Sequence, residues 1–133
     1  MILVDTSVLI DYLKGRRNRQ VSLFDDILEK KIPYGINAYI YQELLQGAGD
    51  LNEYDRLKEY FETIPFYDLL YGRESFERAA FLHLACRRYG ITVRSTIDLL
   101  IAETALENDL YLLHKDKDLD NISRAVPELK IYR

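Results

Sequence analysis

Short apolar runs alternate along this chain with longer stretches of helical periodicity, and that alternation admits few folds. Ile2–Val4 is apolar throughout, as expected of a strand buried on both faces of a sheet. Residues 34–36, 110–113 and 129–132 read as further strands. Residues 64–67 form another candidate, placed at an edge because Pro65 has no N–H to give a ladder. Between them, helical spacing marks residues 8–13, 21–30, 38–46, 51–63, 74–89, 96–106 and 119–125. Gly15, Gly47 and Gly90 supply stops and Pro33 closes the second helix, while Thr6 or Ser7, Asn37 and Thr96 are candidate caps. Strands alternating with helices imply an α/β fold: a mainly parallel sheet of about four to five strands with helices on both sides.

Such sheets bind ligands in the crevice beyond the C-terminal ends of their strands. Asp5 directly follows the first strand, and Asp116 follows residues 110–113 by a short step, which puts both on that rim. Asp98 lies in the first turn of its helix, and Glu43 sits about a turn and a half into another. Each acid has a structural alternative: a favourable helix-dipole position for Asp98, a turn for Asp116, a solvated helix position for Glu43. Asp5, between an apolar strand and a helix, has none of comparable weight. Two carboxylates about 4 Å apart repel by roughly 4 kcal/mol at an effective dielectric of 20, so four on one rim call for a cation. Magnesium or manganese, held by a few carboxylates and by substrate phosphate, is the cation this pattern suits.

Composition bounds the alternatives. The 133 residues fit one domain spanning 1–133, and a hydrophobic fraction of 48% supports a core of its own. No apolar run approaches the roughly 18 residues a membrane span needs, and the opening residues lack the basic lead of a signal peptide. Cys86 is the only cysteine, which excludes an internal disulfide and fits a cytoplasmic location. A net charge of −4 argues against a protein that coats nucleic acid with a broad basic surface, but not against an enzyme that reaches phosphates through metal. Eleven tyrosines and no tryptophan hint at a protein partner.

The segments MILVDTSVLIDYLKG, YQELLQG, TIDLLIAETAL and LYLLHKDKDLDNI, in that order and spacing, resemble the PIN-domain family. Within it they are most similar to the VapC-type ribonuclease toxins of toxin–antitoxin pairs. The resemblance implies a three-layer PIN-like fold and a magnesium- or manganese-dependent endoribonuclease that cuts tRNA or ribosomal RNA. It further implies a cognate antitoxin as partner, RNA as substrate, and a homodimer. By it, Asp5, Glu43, Asp98 and Asp116 match the catalytic acids, with Asp5, Asp98 and Asp116 as metal ligands and Glu43 binding metal or ordering the attacking water. Thr6 or Ser7 matches a supporting hydroxyl. His114 stands where the family often has Thr or Ser, and Asp118 and Asp120 follow closely enough to compete with Asp116 for completing the site.

Two further features have a structural reading beside the functional one. Lys14, Arg16, Arg17 and Arg19 could contact RNA phosphates or simply form a solvated loop. His83 and Cys86, at i and i+3, allow a nucleophile–base pair, but Ala79, Ala80, Leu82 and Ala85 mark a packing helix. Two other functional classes suit a small acidic α/β domain: a receiver-like phosphate acceptor, and a PIN module that binds RNA or protein without cutting. The single acid after the first strand disfavours the receiver, and the full acidic quartet disfavours the binding module.

Overall fold

The computed structural model describes residues 1–133. Its elements run β1 (Ile2–Val4), α1 (Thr6–Leu13), α2 (Arg19–Glu29), β2 (Tyr34–Gly35), α3 (Ala38–Gln46), α4 (Leu51–Phe61), α5 (Arg73–Arg88), α6 (Thr96–Glu107), β3 (Tyr111–Leu113), α7 (Lys117–Ala125) and β4 (Lys130–Ile131). All strand pairings are parallel, in the order β2-β1-β3-β4. Ile2, Leu3 and Val4 pair with Tyr111, Leu112 and Leu113, and all three are buried. A continuous apolar run is what a strand covered on both faces requires. Helix α1 packs on α2 and on α3, and α3 on α4; α5, α6 and α7 form a second group, and α3 touches α6.

The strand order fixes where the chemistry can sit. From β1 the chain steps to β2 on one side, then crosses to β3 on the other, so the topological switch point lies between β1 and β3. At that crevice Asp5 N donates to Leu113 O at 2.9 Å, tying the end of one central strand to the end of the other.

Several expected boundaries differ. Residues 64–67 form no strand: Ile36 and Phe66 make one parallel bridge, with Ile36 N donating to Pro65 O at 3.0 Å and Tyr67 N to Ile36 O at 2.8 Å. That close approach explains Gly35, where a Cβ would meet Pro65 O at 2.4 Å. The second helix ends at Glu29, before Pro33, because Lys31 adopts a positive φ of 55°. It also starts earlier than expected, at Arg19, because Asn18 Oδ1 accepts from Val21 N at 2.9 Å. Thr96 is not a cap but the first residue of α6, and Ser95 before it makes no side-chain cap bond. Neither Thr6 nor Ser7 caps α1, for Asp5 does so itself.

Helix α6 is the central one, buried continuously from Asp98 to Ala105. Its polar residues are therefore enclosed, and each must find a partner. Thr104 Oγ1 donates to Leu100 O at 2.8 Å and accepts from Asn37 Nδ2 at 3.1 Å, while Asn37 Oδ1 caps α3 through Ile40 N at 2.9 Å. This chain docks the start of α3 on α6 and so positions Glu43, one turn farther along.

Candidate metal-binding acidic site

Asp98, from the first turn of α6, meets Asp116 and Asp118, from the turn that opens α7. One carboxylate oxygen of each lies within 4.8 Å of the other two. Asp116 is the N-cap of α7, its Oδ1 accepting from Asp118 N at 2.8 Å, which folds the two acids toward the same place. Sequence alone offers Asp118 and Asp120 as rivals of Asp116; the structure brings Asp118 to the cluster beside it. Asp120 turns away, its Oδ1 lying 3.3 Å from His114 Nε2 and 3.9 Å from Arg133.

Asp5 is buried behind this group. Its Oδ2 accepts from Ser7 N at 3.1 Å and from Ser7 Oγ at 2.6 Å, and Ser7 Oγ in turn accepts from Lys115 N at 3.0 Å. Glu43 is exposed on the rim, where its Oε1 accepts from Thr6 Oγ1 at 3.1 Å. Thr6 and Ser7 thus both serve acids, one each. His114 is buried, and its Nδ1 accepts from Asp116 N at 3.0 Å. The ring fixes the backbone of the β3–α7 turn by a bond that a hydroxyl in that place could also accept.

The electrostatics are those of a site short of positive charge. Burial pushes the Asp98 carboxyl up to about 7, helped by the charges of Asp116, Asp5, Asp118 and Glu43. Asp5 is raised as well, by burial first, with Glu43 and Asp116 adding to it against the two bonds from Ser7. Several carboxylates converging on one another, two of them held above their ordinary range, form a donor set of hard oxygens suited to magnesium or manganese.

The basic segment does not act as a unit. Arg16 pairs with the buried Asp11 at 3.0 Å, and Arg17 with Asp25 at 2.9 Å. Lys14 caps α1 and borders a depression with Leu44 and Leu57, away from the acids. Only Arg19 lines a cavity that also contains Asp116. Asp11 was not singled out in the sequence, yet Lys115, Arg16 and Asn18 all bond to it and hold its carboxyl down at about 2. Cys86 is buried and its thiol is pushed up by burial, as packing requires.

A parallel sheet with buried acids gathered at its switch point defines a class of α/β proteins, and sequence comparison gives the class its name. A sequence model of the PIN domain matches residues 2–125. The chain belongs to the PIN-domain family. It is 32% identical over 125 residues to the VapC ribonuclease Mb1587 of Mycobacterium bovis and to ribonuclease VapC11 of Mycobacterium tuberculosis. These alignments cover 93% of this chain and 92% of each relative. Its fold is similar to that of VapBC2 from Rickettsia felis bound to a promoter DNA fragment, with a TM-score of 0.73 at 17% identity, covering 99% and 98% of the two chains. It is also similar to FitAcB from Neisseria gonorrhoeae, with a TM-score of 0.69 at 21% identity, covering 100% and 97%. Family membership replaces the receiver-like alternative. No helix is long and apolar enough to cross a membrane.

Proposed function

We propose that this chain, as one domain over residues 1–133, is a metal-dependent endoribonuclease serving as the toxin of a toxin–antitoxin pair. The observation that carries the reading is the convergence of Asp98, Asp116 and Asp118 at the β1/β3 switch point, backed by Asp5 and flanked by Glu43. Relatives named as ribonucleases support the activity, and a similar fold solved as a toxin–antitoxin complex from Klebsiella pneumoniae supports a protein antitoxin as partner.

Asp98, Asp116 and Asp118 would hold magnesium or manganese, with Asp5 contributing from behind. A bound divalent ion would offset the charge of the scissile phosphate and lower the pKa of the attacking water. Ser7 fixes the carboxylate plane of Asp5, and Lys115 N fixes Ser7, so the two central strand ends hold their acids in register. Glu43, exposed and steadied by Thr6, would order the attacking water or take its proton. tRNA or ribosomal RNA is the substrate class we assign. A homodimer is the assembly, supported by the apolar outer face of α5, where Phe76, Leu84 and Phe81 are exposed.

The test is cleavage of total RNA by purified protein with magnesium, manganese or chelator, beside Asp98→Asn and Asp5→Asn. Discrete cuts that need the metal and fall by at least about 100-fold in both variants are expected. Equal cutting by wild type and variants, or cutting that survives chelation, would remove the acids from the reaction.

A further inference from the structure

A cavity of about 320 Å³ with Asp116 in its wall opens between the start of α2, the β3–α7 turn and β4. That volume is at the lower end for small-molecule sites, about 300–1,000 Å³, and has room for one nucleotide but not a duplex. Its walls carry four cationic residues, Arg19, Lys115, Lys117 and Arg133, against two acids, Asp116 and Asp120.

Which of those charges are free decides what the cavity can hold. Lys115 is taken by the buried Asp11. Arg133 and Asp120 lie against each other at 3.9 Å, and Asp120 is also drawn toward His114 Nε2 at 3.3 Å. Asp116 belongs to the acidic cluster. Arg19 and Lys117 remain, neither engaged in an ion pair and both exposed. They come from different elements, the first residue of α2 and the first residue of α7. Two unpaired cations across one cavity, with an acid of the cluster in its wall, suit an anion that continues from the acidic site. Tyr132 adds a half-buried aromatic ring beside Ile131 and Leu23, the kind of surface on which an unpaired base stacks.

We infer that this cavity seats the nucleotide next to the bond being cut, with Arg19 and Lys117 on its phosphate and Tyr132 against its base. The inference rests on the ribonuclease reading and extends it: the substrate is single-stranded where it enters the site. It also divides the basic segment, giving RNA contact to Arg19 and structural pairing to Arg16 and Arg17.

The experiment is fluorescence anisotropy of a short, mixed-sequence, single-stranded oligoribonucleotide, titrated with Asp98→Asn protein at several salt concentrations. In that background, Arg19→Ala with Lys117→Ala is expected to weaken binding about tenfold. The slope of log affinity against log salt should shrink by about 0.7, the share of one neutralised phosphate on a single strand. Tyr132→Leu should weaken binding several-fold and leave the slope as it was, because stacking releases no counterions. Arg124→Ala, a cation on α7 that does not line the cavity, should change neither. An unchanged slope in the double variant, or an equal loss from Arg124→Ala, would overturn the assignment. Wild-type cleavage separates the two levels. If wild type cuts RNA and the double variant cuts with the same KM, the cavity alone is wrong. If wild type neither cuts nor binds RNA, the ribonuclease reading falls and takes the cavity with it.

Discussion

Ser7 carries more of the site than its size suggests. Its hydroxyl gives its one hydrogen to Asp5 Oδ2 at 2.6 Å and receives one from Lys115 N at 3.0 Å, so it joins the end of β1 to the turn after β3. Ser7→Ala removes both bonds and leaves the fold's apolar contacts alone. Partners that orient metal ligands are typically worth about 10–100-fold in metal affinity or activity, and a loss of that size in metal-dependent cleavage is the expected outcome. Unchanged cleavage across a magnesium titration would mean that Asp5 needs no fixing. Asp98 makes a second residue-scale prediction, in the metal-free protein. Its carboxyl is raised from 3.8 to about 7, by burial before the neighbouring acids, so between those pH values the native state holds a proton that the unfolded chain has released. Stability from that proton is full below about pH 4 and is lost as pH rises through 7. The Tm of chelator-treated protein should therefore drop between pH 5 and 8. Asp98→Asn should flatten that drop and raise the Tm at pH 8 by roughly 3–6 °C, corresponding to about 1 kcal/mol. Magnesium should raise the wild-type Tm and have a smaller effect on the variant. A variant less stable than wild type at pH 8 without metal would contradict the crowding of charge.

Helix α6 holds a second acid pair, one turn beyond the site. Glu103 is buried, and its carboxyl is pushed up to about 8 by burial and by Glu107, while Glu107, against its own burial, is held below its ordinary range by the neighbouring Glu103 and by bonds from Leu70 N and Ser75 Oγ. Glu107 Oε2 is buried and has no hydrogen-bond partner, and a proton on Glu103 would supply the donor it lacks. Because the folded value is raised from 4.5 to about 8, the stabilisation is full below about pH 4.5 and fades as pH rises through 8. Glu103→Gln keeps a donor and should hold wild-type stability at pH 7 with less decline by pH 9. Glu103→Leu offers Glu107 Oε2 no donor and should cost about 1–3 kcal/mol in urea denaturation. Equal stability of the two variants would rule out the shared proton. Nothing in the sequence marked this pair, since acids at i and i+4 ordinarily read as a repulsive surface pair, and only the burial of α6 on all sides changes that. The strands and helices themselves were legible, because alternation and 3.6-residue spacing are local signals. Residues 64–67 were misread because a strand needs a ladder, and Pro65 and Gly35 leave room for one bridge only. Asp116 could be read from its place after a strand. That Asp118 joins it followed from the capping bond at the start of α7, a detail the D-x-D spacing suggests but cannot orient.

On the scale of the whole molecule, α5 is apolar on two sides. Ala79, Leu82 and Cys86 face the core, whereas Phe76, Ala80, Leu84 and Phe81 fall on the opposite side of the helix. Phe76, Phe81 and Leu84 are 50%, 60% and 44% exposed. Packing within one chain explains the first face and not the second. An exposed apolar patch that contains Glu77 and ends along the helix at Arg73 and Arg88 has more apolar surface than solvent contact requires, as an interface does. A two-fold assembly would set the patch against its own copy, since the same patch must serve both subunits. Phe81→Glu places a charge at the centre of that contact and, through the symmetry, opposite its twin. Size-exclusion chromatography with light scattering should show wild type at twice the chain mass and the variant at the chain mass. Circular dichroism should show unchanged helix content, because Phe81 contributes little to the monomer's core. A wild-type protein that is monomeric at micromolar concentration, or a variant that stays dimeric, would leave the outer face of α5 to the antitoxin instead.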